Sequence, residues 1–148
     1  MKRLAALLSA LIFLFTSCSA DVRAEDVLAR FCREYPIDAE IYSSLREENG
    51  AGYMDAEMLT ALFGIAERPS DDFAIVFFGK VDKVREVGVF VIENGEDVIE
   101  ISELLARRIS FLSTFSEGEG FIKKYRGAIA YGFVEDSAYA ERIFDSIL

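Results

Sequence analysis

Histidine and tryptophan are absent from this 148-residue chain, and cysteine and proline occur only twice each. Without histidine there is no Ser-His-Asp triad, no Cys-His dyad, no histidine-based zinc site and no histidine general base. Carboxylates, lysine and tyrosine remain for acid–base chemistry. Basic residues are also scarce, since 16 Lys and Arg stand against 26 Asp and Glu and the net charge is −10. We therefore expect no nucleic-acid partner, because phosphate neutralisation requires clustered basic side chains.

An apolar run at the N-terminus is the first informative feature. Lys2 and Arg3 precede residues 4–15, which are apolar except for Ser9. Twelve residues are too few for a membrane-spanning helix, which needs about 20. The basic head and the length of the run match a secretory signal peptide.

The run ends in Phe15-Thr16-Ser17-Cys18, which resembles a bacterial lipobox: Leu, a small residue, Gly or Ala, and then Cys. Phe15 departs from the usual Leu, whereas Ser17 is a permitted small residue. The resemblance implies that the signal peptide, residues 1–17, is cut before Cys18, and that Cys18 becomes a lipidated N-terminus. Two or more acyl chains anchor a protein stably. An ordinary secretory signal and an uncleaved N-terminal anchor are the alternatives.

Removal of the signal would take away two basic and no acidic residues, leaving 131 residues with a net charge of −12. Residues 18–24 would hold the lipidated Cys18 and a short tether, and residues 25–148 would form a single domain. Because a domain with this negative charge repels anionic head groups, we expect membrane contact through the lipid alone. The expected location is the outer face of the cytoplasmic membrane, with a monomer as the default state.

Cys32 would then have no disulfide partner within the chain. It lies in the stripe Val27-Leu28-Phe31-Cys32-Tyr35, whose spacing is typical of an amphipathic helix. With few cations nearby to lower the thiol pKa, a small buried hydrophobe is favoured over a reactive thiol.

Periodicity along the mature chain predicts an α+β fold. Four helices are expected, at 24–35, from Met54-Asp55 to Gly64, at 98–115 and at 136–148. Three strands are expected, at 73–78, 87–92 and 128–134, the first two as an antiparallel pair. The stretch 37–53 is ambiguous, and 121–126 is interpreted as one helical turn. The expected architecture is a three-stranded, mainly antiparallel sheet covered by helices, in the order α-α-β-β-α-β-α.

This organisation resembles a family of small bacterial lipoproteins whose shared domain has no assigned function. The likeness rests on "DDFAIVFFGKVDKVREVGVFVIENGEDVIEISELLARRISFLSTF" and "YRGAIAYGFVEDSAYAERIF", with an acidic-led strand ending in Gly and a long helix carrying Arg near its middle. It extends from Asp26 to Ile147. It implies the element order and the anchor, and no catalytic residues.

An acidic cluster lies where the second predicted strand passes into the long helix: Glu93, Glu96, Asp97 and Glu100. Oxygen ligands of this kind can bind Ca²⁺. The cluster lacks the spacing of a dedicated calcium loop, and Asp97 is explained as a helix cap. A solvated, capping role is therefore favoured over a metal site.

Three further patterns have structural interpretations that we favour. The stretch 116–120 has two glycines but no Gly-Lys-Ser, so it is interpreted as a loop rather than a phosphate cradle. Gly88 and Gly132 inside strands indicate close packing. The basic patch 123–126 could dock an anionic polymer of the cell wall or the acidic face of a partner, but a solvated helix face is favoured.

The sequence thus predicts no catalytic, cofactor-binding or metal site. We expect a membrane-anchored lipoprotein that acts as a small binding or interaction module of the cell envelope, with an envelope protein or a cell-wall polymer open as its partner, and not an enzyme. One alternative is a small envelope hydrolase with two carboxylates roughly 5–10 Å apart in a cleft. The other is a minimal solute-binding lipoprotein with a deep apolar pocket.

Overall fold

The computed structural model describes residues 22–65, 67–80, 83–93 and 97–148, and within them it contains five strands and four helices. Their order is α1 (Ala24–Glu34), β1 (Ile41–Ser43), α2 (Ala56–Phe63), β2 (Phe73–Lys80), β3 (Lys83–Val91), α3 (Asp97–Leu112), β4 (Glu119–Tyr125), β5 (Ala128–Val134) and α4 (Ser137–Ile147). The strands form one antiparallel sheet in the order β1-β2-β3-β5-β4.

The fold is α+β, but the predicted three-stranded sheet and the order α-α-β-β-α-β-α are wrong. The ambiguous stretch supplies β1, a three-residue strand at one edge of the sheet. The segment 121–126, expected as a helical turn, lies almost wholly in β4 at the other edge. There a two-residue turn, with Gly127 at φ 81°, joins β4 and β5 as a hairpin along their whole length. Lysines within β4 are consistent with an edge position.

Helices cover both faces of the sheet, because the central strands are apolar on both faces. In β2, Ala74 and Val76 face α1 and α4, whereas Phe73 and Ile75 face α2 and α3. The first core takes Leu28 and Phe31 from α1 and Ile143 and Phe144 from α4. The second takes Leu59 from α2, Ile101 and Leu105 from α3, and Tyr131 from β5.

Local capping fixes the ends of two helices close to the predicted bounds. The Asp55 carboxylate accepts a hydrogen bond from the backbone N–H of Met58 at 2.8 Å, and Gly64 ends α2 in the left-handed region at φ 73°. The Asp136 carboxylate accepts from the N–H of Tyr139 at 2.8 Å at the start of α4.

The start of α1 is capped from a distance. Its first N–H, that of Ala24, donates to Oδ2 of Asp72 at 3.2 Å, across 48 positions of sequence. The carboxylate therefore holds the helix against the loop that precedes β2, because it satisfies an N–H that has no acceptor within the helix.

The two strand glycines make room for aromatic rings. A Cβ at Gly88 would overlap the ring of Tyr131, and a Cβ at Gly132 would overlap the ring of Phe121. The packing interpretation of both glycines is confirmed. Gly88 is paired with Tyr131 across β3 and β5 and leaves room for its ring, whose hydroxyl donates to Glu86.

Candidate functional site

An open groove of about 660 Å³ lies between the α2–β2 loop and the first half of α3. A second depression of about 410 Å³ lies between the C-terminal end of α2 and the second half of α3. The two depressions share Ile65, Leu104 and Arg107 as lining residues, so they form one continuous feature, which we call the α3 groove.

Hydrogen bonds to the strands hold the loop wall of the α3 groove in place. The Ser70 hydroxyl contacts the carbonyl oxygens of Asp72 and Val91 at 3.0 and 2.5 Å. The Ser44 hydroxyl donates to the Asp71 carbonyl at 3.0 Å. On the same loop, Arg68 donates to the Tyr53 hydroxyl at 2.7 Å, and its guanidinium lies 5.8 Å from the centre of that ring.

Carboxylates line the end of the groove near the start of α3. Glu67 and Asp71 belong to the loop, and Asp97 and Glu100 belong to the first turn of α3. All four residues are exposed. Negative charge in the first turn of a helix is favoured by the helix dipole. The two loop carboxylates have no such compensation.

A buried ionic cluster lies beneath the other end of the groove. Arg108 donates from Nη2 to Oε2 of Glu86 at 2.6 Å, and from Nε to both carboxylate oxygens at 3.0 and 3.1 Å. Tyr131 donates from its hydroxyl to Oε1 of Glu86 at 2.5 Å. Glu86 and Tyr131 are fully buried and Arg108 is nearly so.

Burial and charge set the protonation of this cluster. Burial, together with the charge of Glu86, raises the pKa of the Tyr131 phenol well above its usual value. Burial lowers the pKa of Arg108, but the hydrogen bonds and charge of Glu86 outweigh this and raise it overall. Tyr131 therefore stays a hydrogen-bond donor and Arg108 a cation at any physiological pH.

Arg108 also connects the cluster to the groove wall. Its Nη1 donates to the Leu62 carbonyl in the last turn of α2 at 3.3 Å. Its guanidinium carbon lies 5.7 Å from the centre of the Phe111 ring, which is 56% exposed. The cluster thus positions α2, α3 and an exposed aromatic side chain relative to the sheet.

The predicted signal peptide, residues 1–17, and the predicted lipidation residue Cys18 lie outside the described residues. Among the helices that the structure does describe, none is long and apolar enough to cross a bilayer. Cys32 is buried in α1 as predicted, and burial raises the pKa of its thiol to about 11.

The predicted acidic cluster is only partly brought together. Asp97 and Glu100 line the α3 groove, Glu93 lines an adjoining depression of about 70 Å³ that Asp97 also lines, and Glu96 lies outside the described residues. Asp97 is the first residue of α3 rather than the residue before it. Within the described ranges no group of three or more potential ligands could hold a metal ion.

The predicted basic patch lies mostly on strand β4 and not on a helix. Lys123, on β4, forms ion pairs with Asp145 at 2.7 Å and Glu141 at 3.5 Å on α4. The Tyr125 hydroxyl donates to the same Asp145 at 2.9 Å. This part of the patch is thus neutralised by the chain itself, on a strand rather than on the expected helix face.

The predicted loop 116–120 is also shorter than expected, because β4 begins at Glu119. Ser116 has a structural role in it. Its hydroxyl accepts a hydrogen bond from Nη1 of the buried Arg85 at 3.2 Å, which ties the loop to β3.

Sequence reasoning missed the Glu86–Arg108–Tyr131 cluster. A partial signal for it was present, since Glu86 directly precedes the two-sided apolar run 87–91 of β3. Arg108 follows Ile101, Leu104 and Leu105 at the spacing of the buried face of α3. Two opposite charges at buried positions of neighbouring elements indicate a buried ion pair.

Comparison of the chain with protein-family models, with curated proteins and with solved structures gives no match in any of the three.

Proposed function

We propose that the protein is a lipid-anchored binding module on the outer face of the cytoplasmic membrane, held there by acyl chains on Cys18. The proposal is supported by the signal-like apolar run and by the lipobox-like Phe15-Thr16-Ser17-Cys18 that follows it. The first helix begins at Ala24, so the tether can extend about 20 Å at most. A membrane-bound partner is therefore within reach.

The α3 groove is the observation that carries the binding role. It is open, about 660 Å³ in its larger part, and combines charged walls with the exposed aromatic side chain of Phe111 at one end. Shallow surfaces of mixed polarity are typical of protein interaction sites.

The groove favours binding over hydrolysis. A glycoside hydrolase needs a general acid whose pKa is raised by an apolar, buried environment. The carboxylates that converge on the groove belong to exposed residues, and the strongly buried carboxylate of Glu86 is occupied by Arg108 and Tyr131.

A small-solute receptor is also less well supported. Such a protein would need a deep apolar pocket between the long helix and the sheet. Between α3 and the sheet that space is filled by the buried side chains of Leu105, Phe90 and Tyr131. A partner with its own extended surface fits the α3 groove better.

The anchor is tested by metabolic labelling with an alkyne-bearing fatty acid in a bacterial host. The wild type should be labelled and should fractionate with membranes, and Cys18→Ala should lose both properties. Cys32→Ala is the matched control, because it removes the other cysteine and should keep the label. Labelling of the Cys18→Ala variant, or release of the wild type as a soluble protein, would contradict the proposal.

A further inference from the structure

The α3 groove has two chemically different ends. Near the start of α3, Glu67 and Asp71 line one wall and Asp97 and Glu100 line the other. Arg68 lines the loop wall beside them, with its guanidinium donating to the Tyr53 hydroxyl. Like charges that face one another across a groove repel, and a cation between them would relieve the repulsion. None of the four carboxylates forms an ion pair with a cation of the described chain.

The other end exposes apolar surface. Phe111, in the last turn of α3, lines this end. Its ring packs edge to face at 5.1 Å on that of Phe115, just after the helix, and the two residues are 56% and 52% exposed. Phe63 lines the same end, and the largely buried Leu104, which lines both depressions, lies next to it. A group of large apolar side chains that are exposed together is typical of an interaction surface.

On the basis of the binding role proposed above, we propose that the α3 groove binds an extended segment of a partner protein, and that this segment carries a basic residue and a large apolar residue. The basic side chain lies among the carboxylates, and the apolar side chain packs against Phe111 and Leu104. Arg107, between the two ends, is placed to donate to backbone carbonyls of the segment.

The length of the groove sets the spacing of these two residues. Glu100 and Phe111 are eleven positions apart on α3, which corresponds to about 16 Å at 1.5 Å per residue. An extended segment covers that distance in about five residues. The partner segment therefore has Lys or Arg about five residues from Phe, Leu, Ile or Met.

Charge argues against the other occupants. A second copy of this acidic chain, with a net charge of −10, would be repelled. An anionic membrane surface would be repelled by the same carboxylates. A basic protein segment is the occupant that both ends of the groove favour.

The probe is a phage-displayed library of random 12-residue peptides, selected against the full chain purified in detergent. Enriched peptides should carry Lys or Arg four to six residues from a large apolar residue. Selection of peptides without a basic residue would overturn the proposal. The proposal would also be overturned if selection against the wild type enriched no peptides beyond those enriched by the Phe111→Asp variant.

The affinity of one enriched peptide for variants of the chain then tests where on the protein the peptide binds. Asp71→Asn combined with Glu100→Gln should weaken binding about fivefold to tenfold, as the loss of two exposed ion pairs allows. Asp38→Asn combined with Glu34→Gln makes the same change in net charge at exposed positions outside the groove, and should leave affinity within about twofold. Equal loss in both pairs would show that only net charge acts.

Photo-crosslinking in cells tests the occupant. A photoreactive phenylalanine analogue at position 111 should crosslink to a protein segment with the stated spacing, whereas the same analogue at the exposed position 139 on α4 should not. Adducts with phospholipid or with a second copy would overturn the proposal. Peptide binding is also measured on Cys18→Ala, so a failed anchor and a failed groove are told apart.

Discussion

Arg108 of α3 and Glu86 of β3 form an ion pair at 2.6 Å whose side chains are only 8% and 0% exposed. The two residues are 22 positions apart, so the pair fixes the long helix on the sheet rather than stabilising a local turn. Both charges have been taken out of water, and each depends on the other for compensation.

Removal of one partner should therefore be costly. We expect Arg108→Met to lower the free energy of unfolding by about 3–5 kcal/mol, because Glu86 would be buried without a cation. Urea unfolding followed by circular dichroism measures the change. Arg107→Met, on the exposed side of the same helix, is the matched control and should stay within about 0.5 kcal/mol of the wild type.

Removal of all three polar groups should be tolerated better than removal of one. The triple variant Glu86→Leu, Arg108→Met, Tyr131→Phe leaves no unpaired polar side chain in the cluster, and well-packed apolar replacements of buried ion pairs are often neutral. It should recover more than half of the stability lost in Arg108→Met. If Arg108→Met cost no more than Arg107→Met, the cluster would not hold α3.

Tyr131→Phe isolates the hydroxyl of the same cluster. The substitution changes little volume and removes one donor to the buried Glu86 carboxylate, so we expect a loss of about 1.5–3 kcal/mol. Tyr139→Phe is the control, since its hydroxyl lies at the surface at 3.4 Å from its acceptor. Similar losses in the two variants would show that the buried hydrogen bond contributes nothing particular.

The elements that sequence predicted well are those determined locally. The caps Asp55 and Asp136 and the left-handed Gly64 act within a few residues, so their types identify helix ends directly. The two edge strands failed for the opposite reason. β1 has only three residues, which are too few to show the alternating apolar pattern of a strand. β4 owes its conformation to pairing with β5 across the turn at Gly127.

The α3 groove shows the same limit. The acidic residues Asp97 and Glu100 were recognised in the sequence, but the opposite wall lies between the predicted helix that ends at Gly64 and the predicted strand at 73–78. That loop reaches α3 because Ser70 and Ser44 tie it to strands distant in sequence. No local pattern encodes such a return of the chain.

Asp72 should stabilise α1 as a distant cap. Asp72→Ala should cost about 1 kcal/mol, the usual worth of a capping side chain. Asp72→Asn should cost less, because the amide oxygen can still accept from Ala24. Burial raises the pKa of Asp72 and leaves Oδ1 without a partner, so the neutral amide also avoids a desolvated charge. The exposed Asp38→Ala is the control, and an equal loss there would contradict the cap.

Cys32 should make stability depend on alkaline pH. Burial raises the pKa of its thiol to about 11 in the folded chain, against 9.0 as its ordinary value. Because the folded state disfavours the thiolate, its contribution is fully present below pH 9 and is lost as the pH rises towards 11. The free energy of unfolding of the wild type should therefore fall more steeply between pH 9 and 11 than the free energy of unfolding of Cys32→Ala. The variant is the control, because it keeps the lysines and tyrosines that also titrate in this range. Parallel curves would mean that the thiol ionises as readily in the folded chain as in the unfolded one.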